Sequence, residues 1–201
     1  MLHDLWKSNF LTYIIIGFVL LICLKVYSES ELYSLKCVIS SVDGNKYCVR
    51  DREKVNEAAD LLATVTTKCK ELVNYVGKKY PDDADVKRLV DGFNPKRISE
   101  TLPTSELTAY SENKGEKIAF CLSKTKHSST LIDVNTLTFV AIHELSHVMT
   151  KSVGHKQDFW QNFKFLLENA KDANIYQPVD YKKKPENYCG MTITDSPYYD
   201  L

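Results

Sequence analysis

His143, Glu144 and His147 form an HExxH pattern inside the stretch FVAIHELSHVMTKSVGHKQDFW at residues 139–160. Side chains four apart on a helix are neighbours one turn on, so the two imidazoles can meet on one ion. The glutamate between them then stands where a general base is needed, which is how zinc hydrolases use this pattern. Three of the chain's five histidines fall between 143 and 155. His155 directly follows Gly154, whose backbone freedom lets the chain reverse and return the ring to the ion. Catalytic zinc usually takes three protein ligands and leaves a fourth position for water. His143, His147 and His155 are therefore expected as the zinc ligands, with Glu168, on the following helix, as the alternative to His155.

The neighbours of the motif are apolar: Val140, Ala141 and Ile142 precede it, Leu145 lies within it, and Val148 and Met149 follow. Histidine and glutamate buried among such residues without partners would be costly, and a metal ion relieves that cost. A polar helix face carrying two solvated histidines is the competing reading, and these neighbours argue against it. The expected chemistry is hydrolysis of a peptide bond by zinc-activated water, with Glu144 taking the proton and delivering it to the leaving amine. An extended substrate could pair with a strand at 116–123. Tyr176, Tyr181 and Tyr188 are candidates for stabilising the oxyanion.

Several elements must position this stretch. Val55, Ala58, Leu62, Val65, Cys69, Leu72 and Val76 recur at helical spacing and predict a long amphipathic helix ending before Tyr80-Pro81. A short helix at 83–91 stops at Gly92, a loop is expected over 94–106, and Asn113-Lys114-Gly115 marks a hairpin. Asp133 is the expected N-cap of the motif helix. Phe159, Trp160, Phe163, Leu166, Leu167 and Ala170 predict a following helix whose aromatics belong to the core. The tail from 174 onward is expected to be irregular. His127 sits alone in a polar loop and is expected to be solvated.

The chain's 201 residues allow one domain and an appendage, and Lys plus Arg and Asp plus Glu both number 26. That balance gives no electrostatic reason to expect nucleic acid as a partner. Residues 8–24 carry no charge and lie between Lys7 and Lys25, with Trp6 and Tyr27 placed as interfacial rings, so an uncleaved transmembrane anchor is expected. The six cysteines show no CxxC spacing. A two-residue loop at Asp43-Gly44 would not set Cys37 opposite Cys48. Reduced thiols are expected, and no Asn-x-Ser/Thr sequon occurs.

HELSHVMTKSVGHKQDFW resembles the HExxH and GHxxxFW blocks of WLM and SprT-like zinc metallopeptidases, small zincins. The resemblance implies His143, His147 and His155 as ligands and Glu144 as catalytic acid and base. From VDGNKYCVRD through YCGMTITDSPYYD the chain is similar to uncharacterised metallopeptidase-like proteins of large nucleocytoplasmic DNA viruses. WLM and SprT relatives act on proteins crosslinked to DNA, and this chain departs from them in its neutral charge and its N-terminal apolar segment. The expectation is an α+β zincin-like domain at 30–201, with a small antiparallel sheet, an HExxH helix and flanking helices, behind a transmembrane helix at 1–29. It would act as a membrane-anchored zinc endopeptidase on protein or peptide, single-pass in a virion or host membrane, with its catalytic domain in a reducing compartment. The alternatives are a zinc-stabilised membrane-anchored binding module without turnover and a protease of DNA–protein crosslinks.

Overall fold

Asp133 sets the start of the helix that the rest of the fold surrounds. In the computed structural model its carboxylate accepts a hydrogen bond from the Thr136 amide at 2.9 Å, the capping that a short acceptor side chain gives an otherwise unpaired N–H. Residues 2–28, 35–126, 128 and 130–200 are described, with side chains of the first helix described at 10 and 12–27. The order is α1 (Leu2–Ser28), β1 (Leu35–Ile39), β2 (Lys46–Arg50), α2 (Val55–Lys79), α3 (Ala84–Gly92), a 3-10 turn (Pro95–Arg97), β3 (Ile98–Glu100), β4 (Ala109–Glu112), β5 (Lys117–Phe120), α4 (Val134–Met149), α5 (Gln157–Asp172), β6 (Glu186–Tyr188), β7 (Met191–Ile193) and a 3-10 turn (Pro197–Tyr199).

The motif helix α4 packs against α2, α3 and α5. Leu137, Ala141, Ile142, Leu145 and Val148 are all buried in one core with Leu62, Val65, Leu72 and Val76 of α2 and Phe163, Leu166 and Leu167 of α5. A helix covered on nearly every side needs apolar residues all round, and that is why the motif's neighbours are apolar. The helices at Val55–Lys79 and Ala84–Gly92 follow the expected periodicity, the second capped by Asp83 accepting from the Asp85 and Val86 amides.

The strands depart from expectation. They form separate small sheets, β1-β2, β3-β5-β4 and β6-β7, and the middle one is mixed: β3 runs parallel to β5, and β4 antiparallel. The expected small antiparallel sheet is corrected because β3 emerges from the stretch expected to be loop. There Pro95 opens a 3-10 turn capped by Asn94, and the chain leaves it straight into the buried Ile98. Since β5 is paired on both sides, a peptide cannot add to it, and the expected docking along 116–123 is corrected too. Buried ions tie β2 to β3: the Arg50 amide donates to Glu100 Oε2 at 2.7 Å, Arg50 Nε lies 3.4 Å from Glu100 Oε1, and Arg52 pairs with the same carboxylate. Such charges persist in a core only when paired and hydrogen-bonded.

Cys37 stands opposite Cys48 in β1-β2, and the two form a disulfide. The turn is longer than two residues: the Ser40 amide donates to the Asn45 carbonyl at 2.9 Å and the Gly44 amide to the Ser40 carbonyl at 3.1 Å. Asp60 on α2 holds it, accepting from Ser40 Oγ and Ser41 Oγ, each at 2.6 Å, and from the Ser41 amide at 2.8 Å. That tertiary grip shifts the pairing from the one a two-residue loop would give. Cys121 and Cys189 form a second disulfide, while Cys23 and Cys69 are free. The expected reduced thiols are thereby corrected, and two disulfides point to oxidising surroundings instead of a reducing compartment.

The expected anchor is corrected as well. Among the described residues no helix is long and apolar enough to cross a membrane. α1 is 27 residues long, but Ser8, Asn9 and Thr12 interrupt its apolar character. The uncharged run, residues 8–24, spans about 26 Å at a rise of about 1.5 Å, short of a hydrocarbon core of roughly 30 Å. A transmembrane helix and a single-pass membrane location are not supported. The ring of Trp6 lies outside the described side chains.

Candidate metal centre

α4 presents one open face, and His143 and His147 stand on it half-buried while Glu144 between them is buried. One turn of helix places the two rings 4.9 Å apart, centroid to centroid. After Met149 the chain leaves the helix at Thr150, and Gly154, at φ +81°, turns it back. A side chain rarely adopts that backbone conformation, so the glycine has a conformational reason to be there. The reversal delivers His155, whose Nε2 lies 3.1 Å from Nε2 of His143 and 3.1 Å from Nε2 of His147. The three ligand atoms lie within 4.8 Å of one another, and no fourth His, Cys, Asp or Glu joins this group among the described residues.

The donor set fits a zinc ion. His155 Nε2 has a single hydrogen-bonding site, either one N–H or one lone pair, so it can bond properly to only one of its two neighbours and the other close contact is left unsatisfied. Nitrogens at about 2.0–2.1 Å from a tetrahedral ion stand roughly 3.3–3.4 Å apart, within a few tenths of an ångström of the separations here. Burial, followed by the neighbouring imidazoles, pushes His143 down to about 3, and burial followed by His155 and Lys114 pushes His147 down to about 4. Both rings therefore stay neutral near pH 7, the state in which imidazole binds a metal. Burial pushes Glu144 up to about 8. A dication held by the histidines would favour its carboxylate form and oppose that rise.

α5 supplies an aromatic wall. Phe159 stacks on His147 at 4.3 Å and meets His155 edge-on at 4.6 Å, Phe163 meets His143 edge-on at 5.2 Å, and Trp160 lies 5.7 Å from His155. These contacts fix the ring planes. Sequence reasoning assigned Phe159, Trp160 and Phe163 to the core alone, although their position just after His155 in a helix was a usable signal. A cleft of about 670 Å³ opens beside His143, Glu144 and His155, between Val140 of α4, Trp160 and Phe163 of α5, Thr108 and Ala109 at the start of β4, and Met191 and Ile193 of β7.

The remaining expected residues divide. Glu168 is exposed on α5 and does not join the histidine group. Tyr176 and Tyr181 are buried around Phe139, at 6.1 and 4.8 Å between centroids. Tyr188 does line the cleft, where its hydroxyl donates to the Thr108 carbonyl at 3.1 Å. Burial above all, with Glu144 nearby as the next cause, raises its pKa. His127 lies outside the described residues.

The chain is 29% identical over 192 residues to an uncharacterized protein of Acanthamoeba polyphaga mimivirus, covering 92% of this chain and 97% of that one. It is also 35% identical over 101 residues to an uncharacterized protein of Invertebrate iridescent virus 3, covering 49% of this chain and 57% of the relative. A further uncharacterized protein, from Invertebrate iridescent virus 6, is 35% identical over 75 residues, covering 37% and 41%. The chain thus resembles proteins of large DNA viruses. No family model matches it. No solved structure matches it either.

Proposed function

We propose that this protein is a zinc-dependent peptidase acting on protein or peptide substrates. The observation that carries the proposal is the meeting of three imidazole Nε2 atoms, from two separate elements, beside a buried glutamate in an open cleft. A bound zinc ion supplies Lewis acidity, which acidifies water and polarises a carbonyl. His143, His147 and His155 would hold it.

Glu144 is the proton carrier, taking a proton from the attacking water and passing it to the leaving amine. β4 is one of the two edge strands of the mixed sheet, and its first residues border the cleft. An extended peptide pairing there would present its main chain to the histidines. Tyr188 steadies that edge through its bond to the Thr108 carbonyl. Val140, Phe163, Trp160 and Ile193 give the cleft apolar walls suited to an apolar side chain. The resemblance of the two histidine blocks to WLM and SprT-like peptidases supports the same reading, while the zero net charge offers no support for DNA as part of the substrate. A zinc-stabilised module without turnover would call for a fourth protein donor, and among the described residues the group stops at three.

The test is Glu144→Gln in the full chain. Zinc content should stay at the wild-type level while cleavage of a casein or mixed-peptide substrate falls by about 10²–10⁴, the usual contribution of a positioned base. Undiminished cleavage by the variant would remove Glu144 from the mechanism.

A further inference from the structure

Lys114 lies outside the cleft and outside the histidine group, yet its side chain ends against both blocks that supply ligands. We propose that it is a positioning residue of the metal centre, holding the segment at 150–155 so that the ring of His155 meets the other two. The inference rests on the metal-centre reading above and adds a residue to it.

The hairpin between β4 and β5 is shaped to deliver this lysine. Asn113, Lys114 and Gly115 all have positive φ, at +46°, +58° and +104°, a conformation non-glycine residues seldom take without a structural reason. The turn is seated on α3 and α4: a Cβ at Gly115 would stand 2.5 Å from the Gly92 carbonyl oxygen and 3.0 Å from Val148 Cγ1. From there Lys114 Nζ donates to the carbonyls of Thr150 and Ser152, each at 2.8 Å, and of His147 at 3.3 Å. An ammonium has three protons to donate, and all three are used.

Two of these carbonyls close the end of α4, where helix geometry leaves them without partners and the helix dipole favours a cation. Arg88 gives the same service one residue away, with Nη1 2.5 Å from the Met149 carbonyl. The third carbonyl makes the difference. Ser152 lies past the helix, on the way to His155, and its hydroxyl is held from the other side by Asp158 of α5 at 2.7 Å. Lys114 therefore links the residue of one ligand, His147, to the segment bearing another. Electrostatics alone predicts the opposite sign, because a cation beside the site should weaken the binding of a second cation.

The experiment is zinc affinity of the full chain by competition with a chromophoric chelator, with thermal unfolding of the metal-free protein run beside it. Lys114→Met should bind zinc about 10–100 times more weakly, the usual loss when a support of a metal ligand is removed. Lys114→Arg should recover most of that. Arg88→Met, which uncaps the same helix end without touching Ser152, should lower the melting temperature and leave zinc affinity unchanged. Should Lys114→Met fail to fold, Lys114→Gln is expected to weaken zinc in the same direction. Zinc binding that is unchanged or tighter without the lysine, or an equal loss in Arg88→Met, overturns the proposal. A wild-type chain that takes up no zinc would bring down the metal centre itself, and this inference with it.

Discussion

At the scale of single residues, it is where the chain turns that sets His155 beside the two motif histidines and Glu168 apart from them. Gly154 bends the segment after α4 back over the motif, whereas Glu168 stands exposed on α5. Glu168→Gln is therefore expected to leave zinc content and affinity at wild-type values, measured by metal analysis and chelator competition; lost zinc would make the glutamate a ligand after all. The histidines and Glu144 were legible from spacing alone, since an i, i+4 pair has only one geometry on a helix. What spacing could not show is how Phe159 and Phe163 serve two purposes, each ring buried with the core and also in contact with an imidazole. Lys114 was equally hidden, because it lies 33 residues from the carbonyl of His147 that it contacts.

At the scale of elements, the helices were readable and the short strands were not. A helix such as Val55–Lys79 repeats its apolar period many times, while β3, β6 and β7 have three residues each and offer no period to read. The docking of the β4–β5 turn onto α3 depends on close backbone approach at Gly115. Gly115→Ala should destabilise the fold by on the order of 1–3 kcal/mol, through a strained positive φ and a clash with Gly92. Denaturant unfolding would report it as a lower midpoint, and an unchanged midpoint would mean that the turn is not seated as described. The β1-β2 register was missed for a similar reason: Asp60, on another element, fixes the turn at 40–45.

At the scale of the whole molecule, one wall of the cleft is the C-terminal hairpin, joined to the residue just past β5 by Cys121–Cys189 across 68 residues of sequence. Backbone bonds from Cys189 to the Ser123 carbonyl at 2.9 Å and from Gly190 to the Lys124 carbonyl at 3.1 Å hold the same junction. No local pattern could pair cysteines so far apart, and the sequence reading of reduced thiols failed there. Alkylation followed by mass spectrometry checks the pairing. Without reductant the native protein should be modified at Cys23 and not at Cys69, which is buried and whose thiol burial pushes up to about 12. Denaturation without reductant should expose Cys69 as well and nothing more; further sites would refute the disulfides. The fold as a whole serves to bring His155 to the two histidines of α4, and metal content tests that most directly. Zinc analysis of the full chain and of His155→Ala should give one ion per wild-type chain and next to none in the variant, whereas a variant that keeps its full zinc would contradict the three-histidine centre.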